Sequence, residues 1–149
     1  MPSIEELSHR YKEIYQIDSV DELILNNIES TLTLDLPNDF RKITSFYSGG
    51  LFGGISNFAI ALEGICPNIV DETIRLRNTI KLPLRFVVLA EPPESLIVMD
   101  TENIPAVIWC DATDAERLHN MSFISVPQTW DTYLEYFAGL LEDEEQEAF

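Results

Sequence analysis

Ile4, Leu7, Tyr11, Ile14 and Tyr15 recur at helical spacing behind Pro2 and Ser3, which predicts an amphipathic helix at the start of the chain. A second helix follows at once. Ser19 and Glu22 have the S-x-x-E spacing of a capping box, and Val20, Leu23, Ile24 and Ile28 mark an apolar stripe that fades near Leu32. Leu36-Pro37-Asn38-Asp39 restarts the chain, with proline placed for a first helical turn and Asp39 favourable to the helix dipole. Phe40, Ile43 and Phe46 or Tyr47 supply the buried side of this third helix, and Gly49-Gly50 is expected to end it as a left-handed cap.

The period then changes. Leu51 to Ile55 and Phe58 to Leu62 read as two short strands or one broken by turns, and Cys66-Pro67 introduces a helix over Asn68 to Asn78, with Ile69, Ile74 and Leu76 among charged neighbours. Leu84 to Ala90, Leu96 to Asp100 and Ala106 to Asp111 read as three strands joined by connections of hairpin length, so antiparallel neighbours in a meander are expected. Thr113 to Asn120 reads as polar loop and Phe123 to Val126 as a short edge strand. Thr129 is placed to cap a last helix, in which Trp130, Leu134, Phe137 and Leu141 alternate steps of four and three. Helices at both ends around a central, mainly antiparallel sheet define an α+β fold in a single domain over residues 1–149. The run from Glu142 onwards puts like charges at a helix C-terminus, which predicts a fraying, mobile acidic tail over 142–149.

Charge narrows the function. Twenty-six acids stand against nine Lys and Arg, a formal net charge of −17, with no base between Lys12 and Arg41 or after Arg117. Such a field repels nucleic acid, whose affinity rests on basic side chains neutralising phosphates; it favours solubility or a basic protein partner. No apolar run reaches the roughly 18–20 residues of a membrane helix, and Glu5 and Glu6 stand where an export signal would carry bases, so a cytoplasmic protein is expected. Cys66 and Cys110, distant in sequence and outside any CxxC, read as small buried hydrophobes.

Chemistry is sparse. His9 and His119 lie in no catalytic motif, Gly54-Ile55-Ser56-Asn57-Phe58 lacks the second glycine of a nucleophile elbow, and the glycine pairs at 49–50 and 53–54 match no phosphate-binding loop. Asp111, Asp114, Glu116 and His119 are the one cluster to weigh as a metal site, and their spacing fits no EF-hand or zinc pattern. No catalytic residue, cofactor or metal is expected, and the chain reads as a non-enzyme.

Glu29 followed by Leu36-Pro37-Asn38-Asp39-Phe40, then Phe46 and Ser48-Gly49-Gly50, resembles the E…LPxDY…F…xGG signature of the SUKH superfamily. That group includes fungal cell-wall assembly regulators of the Smi/Knr type and many bacterial immunity proteins. Leu82-Pro83 before a strand, Leu96 to Asp100 ending in Asp, Val107-Ile108-Trp109-Cys110-Asp111 and an aromatic-rich last helix extend the likeness over nearly the whole chain. The resemblance implies a non-catalytic binding module, in bacteria most often an immunity protein that neutralises a cognate toxin, commonly a nuclease or deaminase. The acidic surplus fits a basic toxin domain as partner. An intracellular adaptor or regulator similar to the fungal members is the alternative. Acids at strand ends and adjoining loops, Asp100, Glu102, Asp111, Asp114 and Glu116, around Trp109, are the expected partner-binding residues, and unpaired strand edges leave a homodimer open.

Overall fold

The computed structural model describes residues 1–148. Helices α1 (Ile4–Lys12), α2 (Glu22–Leu32) and α3 (Asn38–Ile43) precede strands β1 (Gly50–Phe52) and β2 (Ile55–Asn57). Helix α4 (Ile69–Thr79) leads to β3 (Phe86–Ala90), β4 (Ser95–Asp100) and β5 (Val107–Asp111); a 3₁₀ helix (Ala112–His119), β6 (Gln128–Trp130) and α5 (Tyr133–Ala148) complete the chain. The six strands form one antiparallel sheet in sequential order, so the expected α+β fold and meander are the observed ones.

The central strands are apolar on both faces because both are covered. Val87, Leu89, Ile97, Met99 and Val107 join the main core with α1, α2, α3 and α5, whereas Phe86, Val88, Leu96, Val98, Ile108 and Cys110 pack on Leu76 of α4, Leu82 and Leu118. An aromatic cluster centres the main core: Phe137 of α5 lies 5.1 Å from Tyr47 and 5.2 Å from Phe52 between ring centroids, and Tyr11 lies 5.6 Å from Phe46. Such pairs add about 0.5–1.5 kcal/mol each beyond the area they bury.

The signature residues hold this framework together. Glu29 accepts the Leu36 N–H at 2.7 Å and pairs with Arg41 at 3.2 Å, fixing the turn into α3. Asp39 accepts the Leu134 N–H at 2.9 Å, so the acid that opens α3 also caps α5. A β-carbon on Gly49 would stand 2.5 Å from the Phe58 carbonyl oxygen, at a φ of +97° that side chains disfavour.

Several boundaries differ from the expected ones. Asp21, not Ser19, caps α2 by accepting the Leu23 N–H, and the buried stripe is Leu25, Ile28 and Leu32, leaving Leu23 and Ile24 exposed. Helix α3 ends at Ile43, well before the glycines, because the Thr44 and Phe46 carbonyls turn aside to accept the Val20 and Asp18 N–H groups. Phe58 to Leu62 is not a strand: β2 stops at Asn57, opposite the end of β3 at Ala90, and Ile60 donates to Ser48 instead. Phe123 to Val126 is likewise not a strand, since Asp114 takes the Ile124 and Ser125 N–H groups. Thr129 and Trp130 belong to β6, and the hydroxyl that receives the Glu135 N–H at the start of α5 is that of Thr132. The polar segment after Asp111 is a 3₁₀ helix rather than loop.

Helix α5 continues through the acidic run to Ala148, tied to α1 by the Arg10–Glu145 ion pair and to the segment after α1 by the Tyr15 hydroxyl on Glu144; Phe149 lies outside the described residues. Cys110 is buried, and desolvation, aided by Asp114, pushes its thiol up to about 11. Cys66 is exposed, contrary to the expectation of a buried hydrophobe.

Candidate protein-binding groove

A concave site of about 400 Å³ opens where the β1–β2 turn, strands β5 and β6, and helix α5 meet. Each wall has a local cause. Gly53 and Gly54, with φ of +59° and +77°, close the β1–β2 hairpin in a turn that requires left-handed backbone at both central residues. A β-carbon on Gly53 would lie 2.7 Å from the Leu140 Cα, so only glycine lets the hairpin rest on α5. Opposite it, β6 pairs with β5 in the register Val107 with Trp130 and Trp109 with Gln128.

Two half-buried tryptophans line the groove. Trp109 donates its indole N–H to the Ser95 hydroxyl at 2.8 Å, which fixes the ring across β4. Trp130 meets Tyr136 edge to face at 5.0 Å, and Tyr136 in turn donates its hydroxyl to Asn57 Oδ1 at 2.8 Å. Burial holds the Tyr136 phenol well above its ordinary pKa, so it stays a donor throughout the physiological range. Exposed Glu142 and Asp143 stand on the rim and Gly139 leaves the floor open. Held aromatic rings beside carboxylates that make no ion pair among the described residues suit the capture of a basic, partly apolar protein surface, because rigid anchors lose little entropy on binding and the acids steer an approaching cation.

The residues expected to bind a partner do not form one patch. Asp111 pairs in register with Ser95 at one end of β4, whereas Asp100 and Glu102 lie at the other, about 17 Å away at about 3.4 Å per strand residue. Asp100 is buried; it pairs with Arg85 at 3.1 Å and accepts the Glu102 and Asn103 N–H groups, shaping the β4–β5 connection. Asp114 is fully buried and holds the loop before β6 through Ile124 and Ser125, with Arg117 at 3.8 Å. Both side chains are buried and bonded within the fold. Asp111 is exposed and caps the 3₁₀ helix, and the Thr113 amide and hydroxyl on its carboxylate keep its pKa below the usual range. Glu102 and Glu116 are exposed, and Trp109 lies in the groove. Among the described residues no three His, Cys, Asp or Glu side chains come together as metal ligands, and no helix is long and apolar enough to cross a membrane.

Trp130, Glu142 and Asp143 escaped the sequence reading as site residues. Trp130 falls on a helical period with Leu134 and Phe137, and the acids stand in a run of like charges near the end of the sequence. Thr132 and Glu135, at capping-box spacing, carried the signal that would have started α5 after Trp130 and left the tryptophan on a strand.

No curated protein matches the chain at a significant level. A family model described as SUKH_5, SMI1-KNR4 cell-wall, matches residues 2–134, a span that takes in all six strands, both tryptophans and the first two residues of α5. With the signature acids Glu29 and Asp39 locking the helices to one another, and a match over most of its length, the chain belongs to the SMI1-KNR4 family of the SUKH superfamily.

Proposed function

We propose that this chain is a non-catalytic protein-binding domain of the cytoplasm, a bacterial immunity protein that neutralises a cognate polymorphic toxin, nuclease or deaminase, by stoichiometric binding. The observation that carries the reading is the groove in which Trp109 and Trp130 face a rim bearing Glu142 and Asp143, on a molecule of net charge −17. A toxin that handles a phosphate-bearing substrate presents a basic active site, and an acidic surface with aromatic anchors complements it in charge and shape. Inhibition is occlusion: a basic, partly apolar segment of the toxin seats against the rings in the groove, the carboxylates pair with its lysines and arginines, and no bond is made or broken.

Co-expression with the product of the neighbouring gene tests this. The expected result is protection of the host and recovery of a one-to-one complex; a neighbouring product that is toxic and neither bound nor neutralised contradicts it. The cell-wall description of the matched family supports a second reading, an intracellular adaptor or regulator. That reading expects a complex with a non-toxic partner.

A further inference from the structure

Five of the chain's six glycines have a backbone φ between +59° and +102°, where a side chain is strained; Gly139 is the exception. It lies inside α5 with ordinary helical backbone, at the floor of the tryptophan groove. A β-carbon there would meet within 4 Å, the helix's own backbone aside, only Trp130 Nε1, at 3.8 Å, which is ordinary contact. Neither backbone nor space therefore requires a glycine, and a helix is less stable with one than with alanine. The atom that Gly139 leaves uncovered is an unused donor. Trp109 commits its indole N–H to the Ser95 hydroxyl, whereas the Trp130 Nε1–H has no acceptor among the described residues and is open to solvent. Exposed Glu142 and Asp143 stand on the rim of the same groove.

We propose that Gly139 sets what this groove accepts: it keeps the Trp130 Nε1–H uncovered for a main-chain carbonyl of a partner segment whose lysine or arginine meets Glu142 and Asp143. The inference rests on the protein-binding reading of the groove. An unused donor calls for an acceptor, and the two rim carboxylates repel an anionic one such as a carboxylate or a phosphate. A protein main chain offers a neutral carbonyl at every residue, and a basic side chain on the same segment supplies the charge that complements the rim.

The test is an NMR titration of the full chain with the capped tripeptide Ala-Arg-Ala, in which the two indole N–H resonances are read separately. The expected result is a saturable shift of the Trp130 indole, with the Trp109 indole, held on Ser95, moving less. Affinity is expected to fall at least about tenfold in Gly139→Leu, whose side chain covers the donor, while Gly139→Ala melts at or above the temperature of the unaltered chain. Where the leucine variant does not fold, Trp130→Phe removes the donor and keeps a ring, with affinity read from the Gln128 amide. A Trp130 indole that does not move, peptide affinity that survives these substitutions, or a lower melting temperature in Gly139→Ala overturns the proposal. Tighter binding of capped Ala-Glu-Ala overturns the basic segment as occupant. A cognate toxin bound equally well by a folded Gly139→Leu chain overturns this proposal and leaves the immunity reading standing. An unaltered chain that takes the tripeptide at Trp130 but neither binds nor neutralises the toxin supports the groove's chemistry and removes the immunity reading.

Discussion

Gly53 lies so close to Leu140 that a β-carbon at residue 53 would stand 2.7 Å from both the Cα and the carbonyl oxygen of the leucine. The contact is backbone against backbone, so no rotamer change relieves it, and the φ of +59° adds its own cost for any side chain. Gly53→Ala is therefore expected to destabilise by about 2 kcal/mol or more and to lift the hairpin from α5. Denaturant unfolding measures it; a change below about 0.5 kcal/mol, the range of neutral surface substitutions, contradicts the packing described.

Asp39 joins α3 to α5 through the Leu134 N–H, as a capping acid would. Replacement by Ala is expected to cost about 1 kcal/mol, within the range for lost helix caps, while Asn, which keeps an acceptor, recovers most of it. Equal losses in the two variants in thermal or chemical melts would show that charge, not the bond to Leu134, matters.

Asp114 clamps the loop before β6. Asp114→Ala leaves the Ile124 and Ser125 N–H groups without their acceptor, an expected loss of about 1–3 kcal/mol, with faster amide exchange at both positions. Glu116→Ala, on the exposed side of the same 3₁₀ helix, is expected to change stability by less than about 0.5 kcal/mol. The two acids looked alike in sequence, and this pair of measurements separates them.

The Arg10–Glu145 tie predicts a pH effect. The hydrogen bond from the guanidinium, and then its charge, depress the Glu145 pKa in the folded protein. A depressed folded-state pKa gives stability that is fully present above the unfolded value, about 4.3, and is lost as pH falls through the lower folded value. Both partners are partly exposed, so the contribution is about 0.2–1 kcal/mol at neutral pH and smaller at high salt. Glu145→Gln should lower stability at pH 7 by that amount and leave it unchanged at pH 2; an equal deficit at both pH values would contradict the ion pair.

What was legible in the sequence follows from which signals are local. Strands β3, β4 and β5 showed as apolar runs between turn residues, and their order as a meander follows from short connections. The Leu-Pro-Asn-Asp-Phe and Gly-Gly motifs were visible, but their work was not: Asp39 acts on Leu134, far along the chain, and Gly49 answers to the Phe58 carbonyl. Strand β6 has only three residues and exists because β5 offers an edge, so no period could reveal it. The expected interface rests on charge and on placement at strand ends and loops around Trp109, and neither distinguishes Asp100 and Asp114, turned inward to cap backbone, from Glu102 and Glu116, which face water. The helical course of α5 past Glu142 is not legible locally, because Arg10 and Tyr15, which bond its acids, lie at the other end of the chain.

The role proposed for the groove of Trp109 and Trp130, rimmed by Glu142 and Asp143, is to bind a basic protein. Calorimetric titration of the cognate toxin domain with the unaltered chain and with the Glu142→Lys/Asp143→Lys variant tests it most directly, since both positions are exposed and the fold should survive. Affinity at least about tenfold weaker in the variant, with a shallower dependence on salt, is the expected result. Unchanged affinity and unchanged salt dependence in a folded variant would contradict it.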